Sequence, residues 1–441
     1  MSDRPVLLTG GRVVDPASGL DGPADVRIEA GRITEVGPDL APGDAIVVAL
    51  PPGAVVCPGF IDMHVHQREP GQEYKETIAT GTAAAVAGGF TAVACMPNTE
   101  PANDEAGITQ LILDRAAAAG LARVHPIGAV TLARAGAQLA PLGELREAGC
   151  VAVSDDGAPV ATALLMRRAL EYAGMCGMPV IDHCEEPSLS DGGVAHEGYE
   201  AAVLGLRGRP AVAERIMVER DIALAGVTGT QVHIAHLSTR GGLDAVRAGK
   251  ARGVAVTCEV TPHHLTLTDE RLRTYDTRYK MHPPLRGADD VRALLDGVRD
   301  GAVDCIATDH APHHYDEKLA EFDRAPAGVV GLETAVPVCL DRLVHAGEIT
   351  LTRLVELLSV NPARILGLTG GRLASGVPAD ITVLVPDHET RVDAAAFRSL
   401  GRNTPFDGWT LRGAVAATIV GGRVVYVNDT VDGAAALRSI G

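Results

Sequence analysis

Eight cysteines are scattered through this sequence, and no two of them form a C-x-x-C pair. Paired-thiolate metal sites are thereby excluded and no disulfide framework is visible, so free buried thiols in a reducing compartment are expected. Basic residues are in deficit, with Lys+Arg 39 against Asp+Glu 56 and a formal net charge of -17. Nucleic acid and anionic membranes both need a basic footprint and are not expected as partners; an anionic small molecule needs only one local cation. No run approaches the ~18 apolar residues of a membrane span. The first residues show no signal-peptide pattern either, which makes the cytoplasm the expected location. Aromatic residues make up only 3%, with a single Trp, so the core has to be built from Ala, Val, Leu and Ile. Lysine is missing altogether between Lys75 and Lys250.

What is present is a soluble globular composition, 46% hydrophobic and 22% charged, in a chain long enough for one large and one smaller domain. Both ends read as short strands separated by Gly, Asp and Pro turns, at 4–50, 380–385 and 414–427. They are expected to pair into one β-sandwich subdomain, residues 1–53 with 370–441, around a middle domain at 54–369. That middle alternates apolar runs with Ala-rich or amphipathic stretches. Strands are expected at 55–66, 90–96, 123–130, 150–154, 178–183, 231–236, 254–260 and 303–308, with helices such as 76–87, 107–119, 161–173, 211–225 and 290–298 between them. Eight such units predict an α/β fold, a (β/α)8 TIM-like barrel. No G-x-G-x-x-G opens a helix after the first strand, which removes the dinucleotide-binding alternative.

Barrel active sites sit at the C-terminal ends of the strands. The first strand runs into Asp62, His64, His66 and Arg68, which share one face if the strand continues. Taken alone, His64 and His66 would read more readily as two satisfied core histidines than as ligands. The other strand ends change the balance: they carry Asp155 and Asp156, His183, His233 and His236, and Asp309, His310, His313 and His314. Burying so many polar residues at five of eight strand ends is costly unless they share a ligand. Imidazoles with carboxylates and no thiolate pair suit zinc or a related divalent ion. More than four such groups suggest two metals sharing a bridge, a pair that can activate water and polarise a carbonyl. Alternation alone does not choose between Asp155 and Asp156 as that bridge.

These stretches carry a resemblance. The motifs PGFIDMHVHQREPG (58–71), ACMPNTEP (94–101), SDDG (154–157), DHCE (182–185), HIAHLST (233–239), EVTPHHL (259–265), YKMHPPLR (279–286), ATDHAPH (307–313), GLET (331–334) and GRNTPFDGW (401–409) follow one another in order. Through them the chain resembles the bacterial type I dihydroorotases of the cyclic amidohydrolase superfamily. The resemblance implies reversible cyclisation of N-carbamoyl-L-aspartate to L-dihydroorotate in pyrimidine synthesis. It implies His64 and His66 as ligands of one zinc, His183 and His236 of the other, and Asp156 as the bridge. Asp309 would be both a ligand of the first metal and the proton shuttle. Two zinc ions per subunit are expected, with one as the alternative. For the substrate, His66, Arg68, Asn98, His282, His313, Ala327 and Gly328 are the implied contacts, Arg68 as the partner of its free carboxylate. The family also implies a homodimer and allows association with aspartate transcarbamoylase.

Many relatives bridge their metals with a carboxylated lysine, which the lysine gap makes unavailable in strands two to six. Two positions depart from the family pattern: His282 stands where Asn is usual, and Ala327 where Phe is usual before Gly328. The charged stretch 314–324 reads as a loop able to cover the site, and His125, His196, His263, His264, His345 and His388 as structural or surface residues. The rival readings are a hydantoinase or allantoinase, and a catalytically inactive partner of aspartate transcarbamoylase.

Overall fold

A computed structural model describes residues 4–440. Residues 1–3 and 441 of the expected terminal unit lie outside the described residues. The barrel is built from β1 (Phe60–Val65), β2 (Phe90–Cys95), β3 (Arg123–Ala129), β4 (Ala152–Ser154), β5 (Val180–Asp182), β6 (Val232–Ile234), β7 (Val256–Val260) and β8 (Cys305–Ile306). They pair in chain order, each parallel to the next. The gap between β8 and β1 is closed just beyond β8 by a parallel bridge of Val65 with His310, where the His66 N–H donates to the His310 carbonyl at 2.9 Å. The Asp62 carboxylate reinforces the seam by accepting the Thr308 N–H at 3.1 Å.

Helices fill the intervals between strands, among them Ile78–Ala87, Ala106–Ala119, Ala163–Met175, Ala211–Thr228, Arg240–Ala251 and Ala288–Asp300. One apolar cluster joins outward-facing strand residues such as Val93, Val153, Val180, Val232 and Cys258 to Leu170, Met217, Ile222, Val246 and Leu294 of the helices. As the shortage of aromatics requires, Phe60 and Phe90 supply the one Phe–Phe pair among the described residues, their ring centroids 6.2 Å apart.

The terminal segments form a separate eight-stranded sheet. Val6–Asp15 pairs with Leu20–Glu29, and Ile381–Arg391 with Thr410–Val420. The strand Val55–Pro58 lies between these halves, parallel to the first and antiparallel to the second. Residues from both halves, including Leu8, Val26, Val56, Val383 and Ile419, share one apolar core.

The sequence pattern reads 55–66 as a single strand, and here the structure differs. Val55–Pro58 belongs to the terminal sheet and only Phe60–Val65 to the barrel. The break falls at Gly59, where a Cβ would stand 2.2 Å from Thr91 Oγ1, so the crossing has room only for glycine. Thr382 fastens the crossing: its hydroxyl accepts the Phe60 N–H at 3.2 Å and donates to the Gly89 carbonyl at 2.6 Å. Thr382→Val keeps the shape and leaves both buried groups unpaired, which should cost about 1–3 kcal/mol. A thermal melt that matches the parent protein would refute this account of the junction.

Candidate metal centre

The strand ends deliver six side chains to one point. His64 and His66 come from β1, with His66 just past its end; Asp156 follows β4, His183 follows β5, His236 follows β6, and Asp309 follows β8. Asp156 sits at the middle with its two oxygens turned opposite ways. Its Oδ2 is 3.3 Å from His64 Nε2 and 3.5 Å from His66 Nε2. Its Oδ1 is 3.3 Å from His236 Nε2 and 3.7 Å from His183 Nδ1. Asp309 Oδ1 adds a second carboxylate to the first half, 3.0 Å from His66 Nε2 and 3.6 Å from His64 Nε2.

All six are buried. Burial alone would push the Asp156 carboxyl up, but the charge of His64 and the close approach of the His183 and His236 rings hold it well below the ordinary range. Burial likewise opposes ionisation of Asp309, and the hydrogen bond from His66 with the charge of His64 outweighs it, so its carboxyl is also held down. Both carboxylates are therefore anionic at neutral pH.

The donor set fits a divalent cation. His64 Nε2 and Asp156 Oδ1 are buried with no hydrogen-bond partner, an expensive state for polar atoms unless they face an ion. His183 Nδ1 and His236 Nε2 approach to 2.9 Å, both near Asp156 Oδ1. Two imidazole nitrogens converging on one carboxylate oxygen are the arrangement that a metal satisfies. Two buried trios, His64–His66–Asp309 and His64–Asp156–His236, each place one ligand atom per residue within 4.8 Å of the others. Backbone strain collects here as well: Arg68, His236 and Asp309 have φ of 59°, 29° and 47°, in the left-handed region that non-glycine residues seldom adopt.

The Asp155/Asp156 ambiguity resolves in the geometry. Strand β4 ends at Ser154, so neither Asp lies on a regular strand. Asp155 turns away and accepts the Val130 and Thr131 N–H groups at 2.9 and 3.0 Å, together with the Thr131 hydroxyl.

The expected substrate contacts rim this centre. The Arg68 guanidinium is buried; its Nε donates to the Pro312 carbonyl at 3.2 Å, and no other hydrogen bond from it occurs among the described residues. Asn98 Oδ1 is 2.8 Å from His66 Nδ1, so Asn98 also sets the ring of His66. His313 Nε2 donates to the Ala327 carbonyl at 2.8 Å, leaving Nδ1 without a hydrogen bond. Gly328 has both backbone groups engaged, its N–H with Lys280 and its carbonyl with Asn403 and Lys318. His282 Nε2 lies 3.2 Å from His183 Nε2 and 2.8 Å from Glu185 Oε2, and Arg209 donates to it at 2.5 Å. The 314–324 segment is pinned by Lys318, which donates to the Pro326 and Gly328 carbonyls, and by buried Phe322.

Other residues brought to the site were not singled out in the sequence. Glu259 Oε1 accepts from His64 Nδ1 at 2.7 Å; a charged residue in the apolar run of β7 was the available signal. His263, read as structural, is buried with Nε2 unpartnered and lies close enough to Asp309 for that charge to act on it. Glu185 stands two residues after His183, past Cys184. Arg209 arrives through the long connection after β5 and has no local signal. His233 turns away from the cluster to Thr257 and Glu259, and His310 toward Glu76.

A dihydro-orotase-like family model matches residues 53–242, and an amidohydrolase family model matches residues 211–426. A dihydroorotase of Anaeromyxobacter dehalogenans (strain 2CP-1 / ATCC BAA-258) is 55% identical over 430 residues, 97% of this chain and 99% of that protein. The chain belongs to the dihydroorotase family. Membership makes it a cyclic amidohydrolase. A second dihydroorotase, from Pelotomaculum thermopropionicum (strain DSM 13744 / JCM 10971 / SI), is 54% identical over 97% of this chain and 99% of its own length. Among solved structures, the L-hydantoinase (dihydropyrimidinase) of Arthrobacter aurescens superposes with a TM-score of 0.86 over 96% of each chain at 25% identity. A D-hydantoinase from Thermus sp. gives 0.79 at 27% identity, over 96% of this chain and 95% of its own. No helix among the described residues is long and apolar enough to cross a membrane.

The division of labour between the two neighbouring aspartates is open to a direct test. Asp155→Ala strands the Thr131 N–H and hydroxyl and leaves the Val130 N–H only the Ser154 carbonyl at 3.3 Å, and the melt should fall by the equivalent of about 1–3 kcal/mol. Unchanged stability would mean that those donors find other partners.

Proposed function

We propose that this chain is a zinc-dependent dihydroorotase, interconverting N-carbamoyl-L-aspartate and L-dihydroorotate in pyrimidine synthesis. The observation that carries the reading is Asp156, one oxygen toward each histidine pair, with Arg68 two residues beyond His66. His64, His66 and Asp309 would hold one zinc ion, His183 and His236 the other, and Asp156 would serve both. Zinc bound there would supply an activated water at neutral pH and polarise the ring amide carbonyl. We further infer a cytoplasmic homodimer, each chain divided into a terminal β unit (4–58 and 370–440) and a barrel (60–369), the boundary lying at Gly59 and not at residue 53.

The chain's own residues account for the rest of the chemistry. Asp309, anionic at rest, can take a proton as the amide carbonyl is attacked and return it to the leaving ring nitrogen; one carboxylate then acts first as base and then as acid. Its Oδ1 stays 3.0 Å from His66 Nε2, which keeps it aimed into the centre. Arg68 offers its free guanidinium edge to the substrate carboxylate, a planar fork suited to a two-bond grip. Asn98 and His313 flank that carboxylate. His282 stands beside His183 near the substrate ring, and in a neutral state it can donate or accept there. The Ala327 N–H, without a partner among the described residues, is the backbone donor available at the rim.

The structural neighbours are hydantoinases, but the absence of lysine from 76–249 removes the carboxylated lysine as a bridge, and the full-length relatives at 51–55% identity are named dihydroorotases. An inactive scaffold would be expected to have lost ligands, whereas all six converge. Assays on dihydroorotate, hydantoin and allantoin decide the matter: turnover of hydantoin without dihydroorotate would overturn the proposal.

Asp156→Ala should abolish turnover and lower bound zinc, measured by metal analysis beside the parent protein. Asp309→Asn should lower kcat by about 10²–10⁴. Arg68→Met should reduce kcat/KM by roughly 10²-fold, mainly through KM, because one or two charge-assisted hydrogen bonds of ~1.5–3 kcal/mol each are lost. An Arg68 variant with unaltered KM would place the substrate carboxylate elsewhere.

A further inference from the structure

Glu259 lies in β7 behind the metal centre, with no exposed surface, and its carboxylate reaches both halves of the cluster. Oε1 is 2.7 Å from His64 Nδ1 and accepts the backbone N–H of His236 at 3.2 Å. Oε2 is 3.2 Å from His233 Nε2, and the other nitrogen of that ring is 2.8 Å from Thr257 Oγ1. His64 faces the half that contains His66 and Asp309, and His236 faces the half that contains His183.

Each contact settles something about a ligand. An ionised carboxylate can only accept, so the His64 nitrogen beside it carries a proton, and Nε2, facing Asp156 and Asp309, is the nitrogen left to offer a lone pair to a metal held there. At His236 the backbone turns through φ 29°, and the Leu237 N–H resumes pairing with the Glu259 carbonyl at 2.8 Å. The carboxylate supplies the partner for the N–H of this strained residue, and this turn is what brings His236 Nε2 to 3.3 Å from Asp156. Without that acceptor the N–H would be a buried orphan, and the turn would relax toward a cheaper conformation.

We propose that Glu259 is a positioning residue that couples the two metal positions, fixing the ring tautomer of a ligand in one half and the backbone turn of a ligand in the other. This rests on the two-zinc reading above. Because the two contacts share one oxygen, a single substitution should loosen both positions together.

The test uses the full-length protein, stripped with a chelator and titrated with Zn2+ against a chromophoric competitor. Glu259→Gln should weaken both zinc affinities by about 10–100-fold, the scale of losses from outer-shell partners. Glu259→Asp keeps the charge but shortens the reach; it should weaken both as well, and it serves if the Gln variant fails to fold. Thr257→Val removes the hydrogen bond behind His233 and should leave both affinities within about twofold. Loss at one position only, or at neither, overturns the coupling, and an equal loss in Thr257→Val assigns the effect to general loosening of the barrel and overturns it too. Dihydroorotate turnover by the parent protein separates the two ideas: an active two-zinc parent with an unaffected Glu259→Gln rejects the coupling alone, while a parent that binds no zinc rejects the metal reading along with it.

Discussion

One carboxylate divided between two pairs of imidazoles is the constraint on which the rest of this structure depends. Asp156 has almost no exposed surface, and an ionised group in that position is tolerable only if positive charge or hydrogen-bond donors meet both of its oxygens. The partners must come from β1, β5 and β6, with Asp309 from beyond β8, so the barrel has to close accurately enough to bring four separate strand ends within a few ångströms. The seam between β8 and β1 is where such a barrel would open. There Asp62 holds the Thr308 N–H, and the His310 carbonyl takes the His66 N–H. The same seam places Asp309 against His66. The contacts that close the barrel are also contacts that assemble the site.

Supporting carboxylates extend this logic outward. Glu76 accepts from His310 Nε2 and from the Leu400 N–H, linking the strand-eight end to the C-terminal loop. In that loop Asn403 accepts the His313 N–H and donates to the Ala311 and Gly328 carbonyls. The rim of the centre is thus held in part by residues far from the barrel in sequence. A net charge of -17 does not oppose the proposed anionic substrate, because the buried Arg68 guanidinium beside the centre has only its Nε bonded.

How much of this was legible in the sequence depended on local regularity. The barrel was readable because eight apolar runs alternate with helical stretches, and His64 with His66 was readable because side chains in a strand alternate. Asp155 and Asp156 were not separable, since β4 stops at Ser154 and alternation has no force beyond it. The break at Gly59 was hidden because two strands of different sheets lie end to end with only one residue between them. Glu259 stood in plain view inside a motif, yet nothing local shows that its partner is a histidine 195 residues away. Arg209 was beyond reach, because the path from β5 to the rim is set by tertiary packing and not by periodicity.

The strand Val55–Pro58 occupies the centre of the terminal sheet, and only Gly59 separates it from the strand that carries His64 and His66. The usual picture of a catalytic barrel with a dispensable appendage does not apply to such a connection. A barrel excised at residue 54 would take with it the strand that joins the two halves of the sheet, and one excised at residue 59 would begin the strand of His64 and His66 with a free end. The two units are therefore not interchangeable modules, and recombination between relatives should preserve them together, as a single inherited piece.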